Sequence, residues 1–135
     1  MALQLYFKVL LGTRPLDVLD EICAPDVIFQ HDKHDRVVGI EAVHELIAFR
    51  RNHLAGPPVG IKRMVDNGES KFGHCVKVDF TLRTRAVSGK LSTGKPGEPL
   101  FLFLIGMYYL GKDGRITDIY EAHWPELFRL TRVAS

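Results

Sequence analysis

Apolar residues recur at helical spacing in the first part of the chain and at every second position in the rest. Leu3, Tyr6, Phe7, Leu10 and Leu11 predict a helix over Ala2 to Leu11, stopped by Gly12. In the next stretch, TRPLDVLDEIC, Thr13 can cap and Pro15 fits the first turn. Leu16, Leu19, Ile22 and Cys23 then make an apolar stripe, and Ala24-Pro25-Asp26 is expected to end this second helix. DVIFQH is β-branched and aromatic, which predicts a short strand. A polar turn, DKHDR, leads to Val37-Val38-Gly39. The third helix runs from Ile40 to Leu54, with Ile40, Val43, Ile47 and Leu54 near one face and Leu46 and Phe49 beside them, and Gly56-Pro57-Pro58 ends it.

Beyond Pro58 the period falls from 3.6 to 2. Val59, Ile61, Arg63 and Val65 alternate with Lys62, Met64 and Asp66, and Asn67-Gly68 predicts the hairpin turn. Val76, Val78, Phe80 and Leu82 alternate with Lys77, Asp79, Thr81 and Arg83, the pattern of a half-buried antiparallel strand. SGKLSTGKPGEP supplies the residues of a long connection. PLFLFLIGMYYL is nearly continuous apolar sequence, so both of its faces are expected to be covered. Asp113-Gly114 turns into the last strand, which Pro125 ends. Helices ahead of a meander of strands predict an α+β fold. Its shape is a cone, a curved, mostly antiparallel sheet wrapped around three N-terminal helices. Residues 1–135 read as a single domain, with an apolar pocket expected on the concave side.

Composition removes several functions. A net charge of +2, from 18 basic and 16 acidic residues spread along the chain, gives no footprint for nucleic acid. The apolar start, MALQLYFKVLLG, lacks a basic leader region, is interrupted by Lys8, and is too short to span a bilayer. Two cysteines, Cys23 and Cys75, make neither a disulfide framework nor a metal motif. A soluble, cytoplasmic protein without membrane or nucleic-acid partners is therefore expected.

Three stretches carry a resemblance: Tyr6 to Gly12, APDVIFQHD with Gly39 a few residues on, and GRITDIYEAHWPEL. Together with the element order, they make the chain resemble the ketosteroid isomerase and SnoaL-like branch of the nuclear-transport-factor-two-like superfamily. That superfamily also holds polyketide cyclases and limonene epoxide hydrolases, and its fold hosts non-enzymes too. The resemblance implies a base at the end of the first strand, where this chain has His31. It implies a helix-one tyrosine as oxyanion donor, matched by Tyr6 if one extra loop residue is allowed. A second donor, a protonated carboxylic acid in the isomerases, is replaced here by Gly106. Arg50 falls near a position that braces the oxyanion network.

The same residues also have plainer readings. His31 shares a strand face with Val27 and Phe29, and is either a proton-transfer group or a hydrogen-bonded strand-end histidine. His31 and His34 in HDKHD lie on opposite sides of an extended strand, and the spacing fits no standard zinc site, so no metal is expected. Tyr6 is a hydroxyl donor or a core aromatic. Arg50 reads more simply as a solvated, dipole-complementing charge at a helix end. Adjacent strand residues His74 and Cys75 face opposite sides and are discounted as a nucleophile pair.

The last strand allows two registers. Counted without a gap from Gly114, Ile119, Glu121 and His123 point inward; a one-residue bulge instead turns Tyr120, Ala122 and Trp124 inward. The first is favoured, because an acid beside His31 would orient or balance an imidazole. The candidate catalytic residues are then His31, Glu121, His123 and Tyr6, and the candidate substrate-lining residues Trp124, Arg50, Phe29, Phe80, Leu104 and Gly106. The expected function is cofactor-free acid–base proton transfer on an apolar polycyclic, polyketide- or terpenoid-like substrate: isomerisation, dehydration or cyclisation. Two alternatives stay open: epoxide opening, and a non-catalytic dimer that binds a small molecule or protein. A homodimer through the outer sheet face is expected in every case, because PLFLFLIGMYYL is apolar on both sides.

Overall fold

The computed structural model describes residues 2–31, 36–52, 60–71, 73–85 and 99–123, with the side chains of 82–85, 99–102 and 123 left aside. Within them lie three helices, α1 Ala2–Leu10, α2 Val18–Ile22 and α3 Ile40–Asn52. Six strands follow the same chain order: β1 Cys23–His31, β2 Val37–Val38, β3 Gly60–Ser70, β4 Gly73–Arg85, β5 Pro99–Leu110 and β6 Ile116–His123. They form one curved, open sheet in the order β2-β1-β6-β5-β4-β3. Every neighbouring pair is antiparallel except β1 and β6, which run parallel. This is the expected α+β architecture, with the first strand inserted beside the last.

The core lies between the helices and one face of the sheet. Leu3, Tyr6, Phe7, Val9 and Leu10 of α1 and Val43 and Ile47 of α3 are buried against Val27 and Phe29, Val76, Val78 and Phe80, Leu104 and Tyr108, and Ile119. Phe7 holds the layers together. Its ring meets Phe80 at 5.1 Å and Tyr108 at 5.6 Å, both edge-on, the geometry the aromatic quadrupole prefers. Strand alternation then fixes the inner face: residues 76, 78 and 80, 104, 106 and 108, and 119 and 121.

Four local expectations are corrected. The second helix is only Val18–Ile22, and Cys23, Ala24, Pro25 and Asp26 already belong to β1. Thr13 does not cap it; its hydroxyl donates to the Lys8 carbonyl at 3.0 Å and closes the end of α1 instead. Asn67-Gly68 is not the hairpin turn. The strand continues to Ser70, and the Gly68 amide bonds the Asp66 carboxylate at 2.8 Å across a register shift. At Gly68 φ is +74°, the left-handed conformation that favours glycine, so the turn-forming pair makes a bulge inside an edge strand. Val37-Val38 forms a two-residue strand against Ile28 and Phe29, too short for its sequence to announce. Leu54, Gly56-Pro57-Pro58, most of SGKLSTGKPGEP and Pro125 lie outside the described residues.

Candidate active site

The parallel pairing of β1 with β6 builds the site. It sets Phe29 beside Ile119 and His31 beside Glu121 in register. Residues paired this way share a face, on strands about 4.8 Å apart. His31 is half-buried at the end of β1, and Glu121 is 3% exposed. Tyr120, 39% exposed, and Ala122 point outward, so β6 adopts the ungapped register. His123 lies on β6 opposite Leu104, with its side chain undescribed; Trp124, Asp32 and His34 fall outside the described residues.

Glu121 has a partner that the plain reading of the sequence set aside. Arg50 Nη2 stands 2.6 Å from Glu121 Oε1, with the Arg50 side chain 16% exposed and that of Glu121 wholly buried. The solvated reading of Arg50 is therefore overturned. Its guanidinium packs over the Phe29 ring at 5.1 Å from the centroid, a cation–π contact. The signal was present in the sequence: Val43, Ile47 and Arg50 fall on one helical stripe, whose first two members are core. Burial disfavours the charge on Arg50, but Glu121 more than compensates and raises its pKa.

Tyr6 and Tyr108 complete the cluster. Both are fully buried, with ring centroids 5.4 Å apart. Burial raises the pKa of each phenol well above its ordinary value; for Tyr108 the neighbouring Tyr6 adds to the rise, and for both so does the charge of Glu121. Both hydroxyls thus stay protonated as donors. Gly106 is paired with Glu121, and Tyr108 lies across it: a Cβ at 106 would stand 2.6 Å from the Tyr108 hydroxyl. Sequence reasoning missed Tyr108, hidden in an unbroken apolar run, although its spacing of two from Gly106 places both on one face.

The remaining candidates line the same side. Phe29, Phe80 and Leu104 are buried on the inner face as part of the core. A cavity of about 310 Å³ opens on the opposite, outer face between Met107, Tyr109, Asp118 and Tyr120, away from the Arg50–Glu121 pair. His74 holds Asp66 at 2.7 Å on the β3–β4 hairpin, also far from the cluster, while Cys75 is buried. No group of metal-binding side chains occurs among the described residues.

Comparison with solved structures places the chain in a known fold, that of the SnoaL-like, nuclear-transport-factor-two-like proteins. A protein from Jannaschia sp. CCS1, named for its likeness to SnoaL polyketide cyclases, matches with a TM-score of 0.66 and 20% identity, covering 96% of this chain and 87% of that one. An LEH-like epoxide hydrolase from M. tuberculosis matches at 0.63 and 18%, over 90% of this chain and 79% of its own. SalBIII, an epoxide hydrolase/cyclase-like enzyme in pyran ring formation in the polyether salinomycin, matches at 0.70 and 12%, over 90% and 87%. No protein-family model and no curated protein matches the sequence. At these identities the likeness is one of fold. No helix among the described residues is long and apolar enough to cross a membrane.

Proposed function

We propose that this protein is a small, cofactor-free enzyme acting on an apolar polycyclic, polyketide- or terpenoid-like substrate by general acid–base proton transfer, in an isomerisation, dehydration or cyclisation. The observation that carries the reading is the side-by-side placement of His31 and Glu121 on the inner face, with Glu121 clamped by Arg50. An imidazole titrates near neutral pH, so His31 can take a proton from carbon and return it without strong tuning. Glu121 balances the imidazolium that forms, and Tyr6 donates to the developing oxyanion. The substrate enters where β1 and β6 end, since His31 there keeps partial exposure. The setting is cytoplasmic, in keeping with two buried free thiols.

A second reading, epoxide opening, draws on the buried Arg50–Glu121 pair, because that reaction needs a carboxylate and a charged partner around a water. A non-catalytic binding protein is the third. Turnover of ketones and epoxides, found first by thermal-shift screening, separates the three. With a ketone substrate in hand, His31→Ala should lower turnover by about 10²–10⁴-fold, and His31→Gln nearly as far. Wild-type turnover in His31→Ala would falsify the assignment of His31, and epoxide turnover that survives it while failing in Glu121→Gln would favour the second reading.

A further inference from the structure

The chemistry of the inner face makes no use of the cavity on the outer one. That cavity holds about 310 Å³ and is lined by Met107, Tyr109, Asp118 and Tyr120. Two ladder pairs build it: Met107 stands opposite Tyr120, and Tyr109 opposite Asp118, on the antiparallel strands β5 and β6. Residues paired across a ladder and spaced by two along it share one face, so the four side chains are neighbours. The rings of Tyr109 and Tyr120 lie 5.9 Å apart between centroids and cross at 87°. Two planes at a right angle make a corner, and a body seated in it meets a ring face on either side. Those faces are the electron-rich part of an aromatic ring. Met107 adds a polarisable thioether.

Asp118 supplies the charge. Thr117 Oγ1 donates to its Oδ2 at 2.9 Å and holds the half-buried carboxylate in place. Asp118 belongs to none of the ion pairs among the described residues. Lys77, opposite Met107 on β4, does not line the cavity. A metal ion would need more oxygen or nitrogen ligands than one carboxylate and two phenols offer. Two ring faces and one carboxylate around an apolar hollow instead suit a cation whose charge is spread over methyl groups. We propose that this cavity is a second ligand site, which takes a small methylated ammonium cation against the Tyr109 and Tyr120 rings and pairs it with Asp118. The site lies across the sheet from the Arg50–Glu121 pair and does not rest on the proton-transfer reading.

Choline is the probe, and its uncharged isostere 3,3-dimethylbutan-1-ol is the control. Binding to the intact chain is followed by NMR of the probe's methyl groups, which move upfield over ring faces. Wild type should bind choline with a dissociation constant on the order of 1 mM, from two cation–π contacts and one partly exposed ion pair. The neutral alcohol should bind about 10-fold more weakly. Tyr120→Leu should weaken choline about 2- to 30-fold, whereas Tyr120→Phe keeps the ring and should bind as wild type does. Asp118→Asn should weaken it about 2- to 5-fold. Neither residue belongs to the core, so melting temperatures should barely change and the losses report on the site. Absence of an upfield shift with wild type overturns the proposal. Equal affinity for the alcohol, or choline binding that survives both Tyr120→Leu and Asp118→Asn, does so too. Light scattering supplies the last arm. A dimer that Asp118→Asn dissociates, in a wild type that takes no choline, assigns the cavity to a basic side chain of a second copy and overturns the free-cation site.

Discussion

At the residue scale, the Arg50–Glu121 pair is where stability and chemistry meet. Taking two charges out of water is costly, and here each is the other's compensation. Glu121→Ala should therefore destabilise the protein by about 3–5 kcal/mol, the cost of stranding a buried charge, and Arg50→Met should do the same. The double variant Arg50→Met/Glu121→Leu should regain most of that loss, read by denaturant unfolding, while losing activity. Strong destabilisation of the double variant beyond both singles would mean that the pair contributes net stability of its own. Cys23 gives a second residue-scale expectation. Burial, helped by Asp20, raises its pKa to about 12, so the folded state holds the thiol proton more tightly than the unfolded state does. Its contribution to stability is complete below the ordinary value of 9.0 and is lost as pH rises from there through about 12. Alkylation of native protein at pH 8, followed by peptide mass spectrometry, should leave Cys23 unlabelled until denaturant is added. Counting by twos left the last strand with two registers, and the inward turn of Glu121 was favoured only for the partner it gives His31. Arg50 lies on the stripe of Val43 and Ile47, but the solvated reading outweighed that signal because it is a charged residue at a helix end beside an equally charged Arg51.

At the scale of elements, long periodic segments declare themselves and short connections do not. PLFLFLIGMYYL forms β5 from end to end, and the stripes of α1 and α3 face the core as their spacing implies. The Asn67-Gly68 pair carries a true local preference for positive φ at Gly68, but whether that becomes a turn or a bulge depends on where β4 pairs. That pairing is fixed further on, where His74 reaches Asp66 at 2.7 Å and Glu69 at 3.3 Å. The hydrogen bond to Asp66 raises the His74 pKa above 6.5. The Gly68 amide, with His74 after it, lowers that of Asp66 below 3.8. Worked through, the histidine's contribution is full below pH 6.5 and fades as pH rises through its raised value. The aspartate's contribution is present above pH 3.8 and fades as pH falls through its lowered one. The hairpin is thus tightest between those limits, by an amount that solvent screening keeps small. An NMR titration should show the His74 imidazole titrating above 6.5, moving back toward it in Asp66→Asn. An unchanged midpoint would mean the contact is not kept in solution.

At the scale of the whole molecule, the parallel join of β1 to β6 unites the first strand's last residue with the last strand's carboxylate. The sequence order of the strands carries no trace of that join, because strands 85 residues apart pair only through the tertiary fold. The outer face of the same sheet leaves Phe103 40% and Tyr120 39% exposed, and this is the face that the homodimer expected from the sequence would cover. Light scattering at micromolar concentration should give twice the 15.3 kDa chain mass, and a monomer would remove that part of the account. The central claim is that the inner face moves a proton from carbon, and solvent exchange reads it most directly. Apolar ketones that raise the melting temperature are incubated with the protein in deuterium oxide and followed by NMR at their α-carbons. The account predicts deuterium entering at the α-position with wild type, abolished in His31→Ala and reduced in Tyr6→Phe. Ketones that bind tightly yet exchange no faster than in buffer alone would contradict it.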